Sequence, residues 1–200
     1  MKRNLQKMKS IIGIVGSGRR KSNSKKLLEY ALRKVESFGA NVEMIDILDL
    51  NVSGCLECNE CKKTGNCVIE DDLTPMYEHF LDADGVIISA PVYFYSLPGQ
   101  IKLLVDRFQA LWARRYVLKI EPRKTGIGGL ISIAGSGGKK VFDGVILPVK
   151  YFFDVQGKKL FEPLLFRNYD GEPENIPEEF FAQIDEWTNE FWKRLSSINR

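Results

Sequence analysis

All four cysteines of the 200-residue chain fall within thirteen residues, Cys55-Leu-Glu-Cys58-Asn-Glu-Cys61-Lys-Lys-Thr-Gly-Asn-Cys67. A C-x2-C-x2-C run lets three thiolates converge from one tight loop, and the fourth returns after five more residues. Four thiolates suit an iron–sulfur cluster or a tetrahedral zinc ion. Structural zinc sites pair two short knuckles set further apart, so three cysteines in seven residues favour the cluster. A Cys55–Cys58 or Cys58–Cys61 redox pair would leave two cysteines over, and a plain thiol loop is the blandest reading. The spacing differs from the bacterial ferredoxin run, which has three residues before its last cysteine and a proline after it. Here there are five, with Val68 following, and only one cluster can be built. Lys62, Lys63 and Gly65 would offer such a group positive charge and backbone donors.

Three other stretches have the composition of ligand loops. Gly16-Ser17-Gly18-Arg19-Arg20-Lys21-Ser22-Asn23-Ser24 combines bare backbone N–H groups, hydroxyls and guanidinium groups just before a helix. Those are the needs of a phosphate monoester; the alternative is a polar turn ending in an ordinary N-cap. It is not a dinucleotide fingerprint, because Lys21 stands at the third glycine position. Pro91-Val92-Tyr93-Phe94-Tyr95-Ser96-Leu97-Pro98-Gly99 is stiffened by two prolines and carries three aromatic rings. Such a loop can line a flat apolar ligand or pack under a neighbour. Ala134-Gly135-Ser136-Gly137-Gly138 is small enough for close backbone approach. It lacks the glycine and hydroxyl positions of a Walker A motif. His79, the only histidine, is expected to be structural. Asp71-Asp72 reads as the acidic start of a helix, and Phe180, Phe181, Trp187 and Phe191 read as a core or oligomer-contact stripe.

The elements that must position these loops alternate. Apolar, β-branched runs predict strands at 10–15, 41–48, 85–91, 125–134 and 159–167. Helical periodicity predicts helices at 25–38, 71 to about 83, 97–112, 138–153 (kinked at Pro148) and 177–195. Strand–helix alternation predicts an α/β fold, a doubly wound five-stranded parallel sheet with helices on both faces. In such sheets ligands bind beyond the carboxyl ends of the strands. All three candidate loops, and the cysteine stretch after the second strand, fall there. One domain over residues 1–200 is expected, with a polar tail at 1–9 and a cysteine-rich loop at 51–70.

Together the loops resemble the flavodoxin-like NAD(P)H-dependent FMN reductases. That family's G-S-x-R-x-x-S-N-[ST] phosphate loop matches Gly16–Ser24, and its P-x-Y-x-x-x-x-P ring loop matches Pro91–Pro98. The helix pattern around Lys102, Asp106 and Arg107 is also similar. The cysteine spacing adds a resemblance to the iron–sulfur flavoproteins. The resemblance implies a flavodoxin-like sheet of order 2-1-3-4-5. It implies Ser17, Arg19, Ser22, Asn23 and Ser24 around the FMN phosphate. Pro91, Val92, Tyr93, Phe94, Tyr95, Gly135 and Ser136 would surround the isoalloxazine ring, and Cys55, Cys58, Cys61 and Cys67 would bind a [4Fe–4S] cluster. No catalytic side chain is expected. The implied protein is a homodimer or homotetramer passing electrons between cluster and flavin. Its donor would be NAD(P)H or a ferredoxin-like protein, and its acceptor a small molecule. A clusterless FMN, quinone or nitro-compound reductase and a flavodoxin-type carrier are the alternatives.

Composition narrows the partners. Hydrophobic residues make up 44% and charged residues 28%, with a net charge of +3. The charge is too small and dispersed to predict binding to nucleic acid or an anionic membrane. Neither an 18-residue apolar run nor a signal-like apolar segment is present, so a cytoplasmic protein is expected. In that compartment a compact cysteine motif points to metal or redox chemistry rather than a structural disulfide.

Overall fold

The computed structural model describes residues 8–198, and all but the end of the expected polar tail lies outside them. Strands β1 (Ser10–Val15), β2 (Asn41–Asp46), β3 (Gly85–Pro91), β4 (Gly126–Ile133), β5 (Lys158–Leu160) and β6 (Leu164–Phe166) form one parallel sheet. Its order is β2-β1-β3-β4-β5, with β6 also beside β4. The expected fifth strand is thus split in two. Between Gly128↔Leu160 and Ile131↔Leu164, three residue steps on β4 face four on its neighbour. The extra residue falls in Phe161-Glu162-Pro163, where Pro163 has no N–H to offer the ladder.

Helices cover both faces. Ile11 and Val15 point into one core with α1 (Asn23–Ser37) and α7 (Glu178–Ser196), while Ile12 and Ile14 point into the other. This two-residue alternation is that of a strand buried on both sides. The second core is closed by α3 (Met76–Asp82), α4 (Gly99–Arg107), α5 (Gln109–Trp112) and α6 (Asp143–Asp154). A short α2 (Cys61–Thr64) lies inside the cysteine loop.

The glycines that make β4 look broken in sequence leave it whole. A Cβ on Gly128 would lie 2.1 Å from the Phe153 ring, and one on Gly129 2.6 Å from Trp187. The strand's missing side chains are therefore the seats of one large aromatic ring on each face.

Two helices differ from expectation. The predicted 97–112 helix starts after Pro98, breaks at Phe108 into α4 and α5, and ends in a π-helical turn at Ala113–Val117. The predicted 138–153 helix begins only at Asp143, because 138–142 is taken up by turns. Pro148 lies inside α6. Lacking an N–H, it leaves the carbonyl four residues back, that of Gly144, without its helical donor. The hydroxyl of Ser96 donates to that carbonyl at 3.4 Å. The sequence irregularity in α6 thus becomes an anchor for the aromatic loop after β3.

Candidate functional site

The loop after β1 ends at Ser22, whose hydroxyl accepts the Lys25 N–H at 3.2 Å and caps α1. Ser17 and Ser24 are buried beside it, and Ser17 Oγ accepts the Arg19 N–H. The three basic side chains of the loop are not equivalent. Arg20 bonds Asp49 and the Leu48 carbonyl, and Lys21 pairs with Glu174 at 2.5 Å. Among the described residues the Arg19 guanidinium has no hydrogen bond or ion pair. An unpaired guanidinium, two buried hydroxyls and a helix N-terminus together leave room for an anion.

The cleft above this loop is lined by Ser17, Arg19, Lys21, Ser22, Asn23, Ser24, Pro91, Val92, Tyr93, Ile133 and Gly135. It is closed by a segment outside the loops singled out in the sequence, Tyr169-Asp170-Gly171-Glu172-Pro173. Three donors hold that segment: Asn23 Nδ2 bonds Gly171 O at 2.9 Å, Lys26 Nζ bonds Pro173 O at 2.7 Å, and Lys21 holds Glu174. The rule that ligands sit beyond the carboxyl ends of strands, applied to the fifth strand as well, would have found it. Asn23 Oδ1 is buried without a partner, an acceptor left over beside the cleft.

A second cleft of about 240 Å³ adjoins the first through Val92 and Gly135. Phe94, Tyr95, Ala134, Ser136 and Val141 complete it. The aromatic loop is a tight hairpin in which the Tyr93 and Ser96 backbones exchange both hydrogen bonds at 2.9 Å. Its two central residues, Phe94 (φ 47°) and Tyr95 (φ 61°), are left-handed. That conformation costs a bulky residue on the order of 1–3 kcal/mol. The loop's anchors offset this strain. A bridge pairs Ser96 with Gly144, and a Cβ on Gly144 would stand 2.1 Å from the Tyr95 carbonyl oxygen. Phe94 at the tip is fully exposed.

The cysteine loop forms a third cavity, of about 500 Å³, lined by all four cysteines. Cys55 and Cys58 are exposed, Cys61 and Cys67 are half-buried, and none is in a disulfide. Glu57 (φ 53°) and Asn59 (φ 63°) are left-handed on either side of Cys58. With Glu60 right-handed (φ −62°, ψ −31°), residues 59–60 make a concave backbone nest of the kind that receives anions and iron–sulfur groups. Burial, reinforced by Cys55 and Cys58, raises the pKa of the Cys61 thiol. Among the described residues no three His, Cys, Asp or Glu side chains converge as a metal site. The thiols therefore share a cavity rather than a point. Zinc would need them about 3.8 Å apart around one centre, given tetrahedral bonds of about 2.3 Å. Four thiols opening on one cavity are the donor set of an iron–sulfur cluster. Of the two expected lysines, Lys62 lines the cavity and Lys63 is drawn to Glu60 at 2.8 Å.

This cavity shares no lining residue with the other two clefts. The loop leaves the end of β2 but folds back along α4 and α5, meeting Leu103, Asp106, Arg107, Gln109 and Ala110. The break between α4 and α5 is its dock. There the Cys61 thiol reaches the Gln109 carbonyl at 3.9 Å, and the Tyr77 hydroxyl donates to the Arg107 carbonyl at 2.9 Å. Asp71 and Asp72 do not begin α3, whose N-cap is Pro75. They close the loop instead: Asp72 accepts the Asn51 N–H, and Asp71 accepts the Ser53 and Leu73 N–H groups. Burial works to raise the Asp71 pKa, but its bonds from Arg107 and these backbone groups win and hold it below the usual value. His79 makes an exposed pair with Glu43 at 2.6 Å, far from a catalytic arrangement.

Among the described residues no helix is long and apolar enough to cross a membrane. Comparison with known proteins agrees with the loops. The profile of the family described as NADPH-dependent FMN reductase matches residues 9–141. The chain is 35% identical over 126 residues to an iron-sulfur flavoprotein of Methanosarcina thermophila, covering 63% of each. It is 33% identical over 126 residues to one of Methanocaldococcus jannaschii, covering 63% of this chain and 62% of that protein. The chain thus spans less than two thirds of the length of these relatives. Among solved structures, an NAD(P)H:quinone oxidoreductase of Methanothermobacter marburgensis superposes with a TM-score of 0.70 at 14% identity. That match covers 96% of this chain and 98% of the other. A flavone reductase superposes with a TM-score of 0.68 at 18% identity, covering 94% of this chain and 63% of the other. These two likenesses are of fold. With the profile spanning the phosphate loop, the aromatic loop and the glycine turn after β4, the chain belongs to the NADPH-dependent FMN reductase family.

Proposed function

We propose that the protein is an FMN-dependent oxidoreductase of the iron–sulfur flavoprotein kind, one domain carrying both an FMN and a [4Fe–4S] cluster. The observation that supports it most is the pair of clefts joined at Val92 and Gly135. One end offers the unpaired Arg19 and a helix N-terminus, the other an apolar and aromatic wall. That is the polarity of a molecule with a phosphate at one end and a flat ring at the other. In this reading Ser17, Arg19, Ser22, Asn23 and Ser24 bind the phosphate. Asn23 Oδ1 and the Asp170 and Glu172 carboxylates accept from the hydroxyls of the linking chain. Pro91 to Tyr95, with Gly135 and Ser136, fix the ring. When bound, FMN supplies both two-electron and one-electron chemistry. The chain's part is to orient the ring, limit water at its face and keep the phosphate seated; no side chain is required as acid or base.

The four cysteines are assigned to the cluster, which supplies a one-electron relay. The shared cavity, the nest at 59–60 and the names of the relatives support this. NAD(P)H or a ferredoxin-like protein is the proposed donor. Assembly as a homo-oligomer is supported by exposed apolar side chains on α5, the π-helical turn and α6, namely Trp112, Tyr116, Val117, Leu147 and Tyr151.

Anaerobic purification followed by absorption spectroscopy, FMN titration and iron and acid-labile sulfide assay tests the assignment. Bound FMN with about four irons and four sulfides per chain is expected. Flavin without iron or sulfide would leave a clusterless reductase. No affinity for FMN would overturn the whole reading.

A further inference from the structure

Among the described residues Arg107 is the largest fully buried side chain, 1% exposed, yet it forms part of the cysteine cavity's wall. A guanidinium has five N–H donors in a planar fork. Four are taken by the two ends of the cysteine loop. Nη1 bonds the Ser53 carbonyl at 3.0 Å and Asp71 Oδ2 at 2.6 Å. Nη2 bonds the Ile69 carbonyl at 3.2 Å and Asp71 Oδ1 at 3.2 Å. The fifth donor, Nε–H, is buried with no partner. A buried donor left alone costs about 1–3 kcal/mol, and native folds seldom keep one without a use. The fork shows where it faces. Nε–H shares an edge with the Nη2–H that bonds Ile69, and Ile69 lines the same cavity as Cys67.

We infer that Nε–H of Arg107 is the hydrogen-bond donor to the Cys67 sulfur when the loop holds its iron–sulfur group. Arg107 is then a positioning residue with two roles. Four donors fix the loop's ends, and the fifth adjusts the electron affinity of the site. Hydrogen bonds to ligating sulfur make a cluster easier to reduce. The Asp71 carboxylate neutralises most of the guanidinium's charge, so the effect belongs to the directed N–H. This inference rests on the cluster assignment above.

The test uses the full chain grown with 15N-arginine, purified anaerobically, reduced with dithionite and read by pulsed electron paramagnetic resonance in H2O and D2O. Arg114 is the control, because its Nε bonds the Gly65 carbonyl in the same loop. The expected result is an exchangeable proton and a 15N coupling to the reduced cluster. Both should persist in Arg114→Lys and vanish in Arg107→Lys, with the cluster midpoint potential of the latter moved to more negative values. If Arg107→Lys fails to hold iron, the 15N coupling in the wild-type and Arg114→Lys proteins decides. A loaded wild-type chain without the coupling, or with one lost in Arg114→Lys, overturns the inference alone. So does a loaded Arg107→Lys protein with unchanged potential. A wild-type chain without iron and sulfide overturns the cluster assignment as well.

Discussion

At the scale of single residues the phosphate loop separates three basic side chains that look alike in sequence. Among the described residues only Arg19 of the three is without a partner, so it has a full charge to give an incoming anion. Arg19→Ala is expected to weaken FMN binding roughly ten- to a hundredfold, the loss of a charge-assisted hydrogen bond of about 1.5–3 kcal/mol. Arg20→Ala, already engaged with Asp49, is expected to change it less than about threefold, within the worth of an exposed pair. Quenching of free FMN fluorescence on titration measures both. The loop was legible because its chemistry is local: glycines, hydroxyls and a guanidinium within nine residues. That Arg20 and Lys21 are already engaged was not legible, since Asp49 and Glu174 approach from distant stretches. Arg107 shows the same limit. Nothing around it in sequence marks an arginine destined for burial, because its partner Asp71 lies 36 residues away.

At the scale of elements the close approaches carry the positioning. Gly128→Ala would press a methyl into the Phe153 ring at 2.1 Å. Overpacking of this kind costs about 1–3 kcal/mol, expected as a lower urea midpoint with an unchanged slope. Gly144→Ala acts elsewhere. It would push against the Tyr95 carbonyl and shift the aromatic loop from α6, so FMN affinity should fall more than the urea midpoint does. Equal loss of both would place Gly144 in the fold rather than the site. The sequence reported the proline in α6 but not its use, because the bond from Ser96 to the freed carbonyl spans 48 residues. It reported β4 as glycine-interrupted for a similar reason: the rings that replace the missing side chains come from α6 and α7.

At the scale of the whole molecule the parallel sheet, the two-sided core and the placement of the ligand loops beyond the strands were readable from the alternation of strand and helix, while the order 2-1-3-4-5 followed from the family resemblance. The split of the fifth strand was not, because it depends on register against β4. A charge buried at the opposite edge of the sheet was not foreseen either. Lys158 is 3% exposed, donates to the Phe80 carbonyl at 2.7 Å, and faces Lys124, Asp84 and Asp82. Burial, then repulsion from Lys124, lowers its pKa from 10.5 to about 7, against attraction from Asp84 and Asp82. From pH 7 to 10.5 the unfolded chain therefore holds a proton that the fold does not. Stability from this group rises with pH across that window, by up to about 1.4 kcal/mol per pH unit. Lys158→Met should flatten that rise relative to the parent, read as urea midpoints at pH 7, 8.5 and 10. Parallel profiles for the two proteins would refute the burial of a neutral lysine.

The helix α4 joins two of the sites end to end. It begins at the close of the aromatic loop and finishes at the cysteine cavity, where Leu103 and Arg107 form part of the wall. Counting from Pro98, the rise of about 1.5 Å per residue makes this a separation of about 8–13 Å along its axis. Under the proposed assignment the helix would act as a ruler for tunnelling: an electron passing between flavin and cluster within one chain would cross a gap set by the count of residues between Pro98 and Arg107.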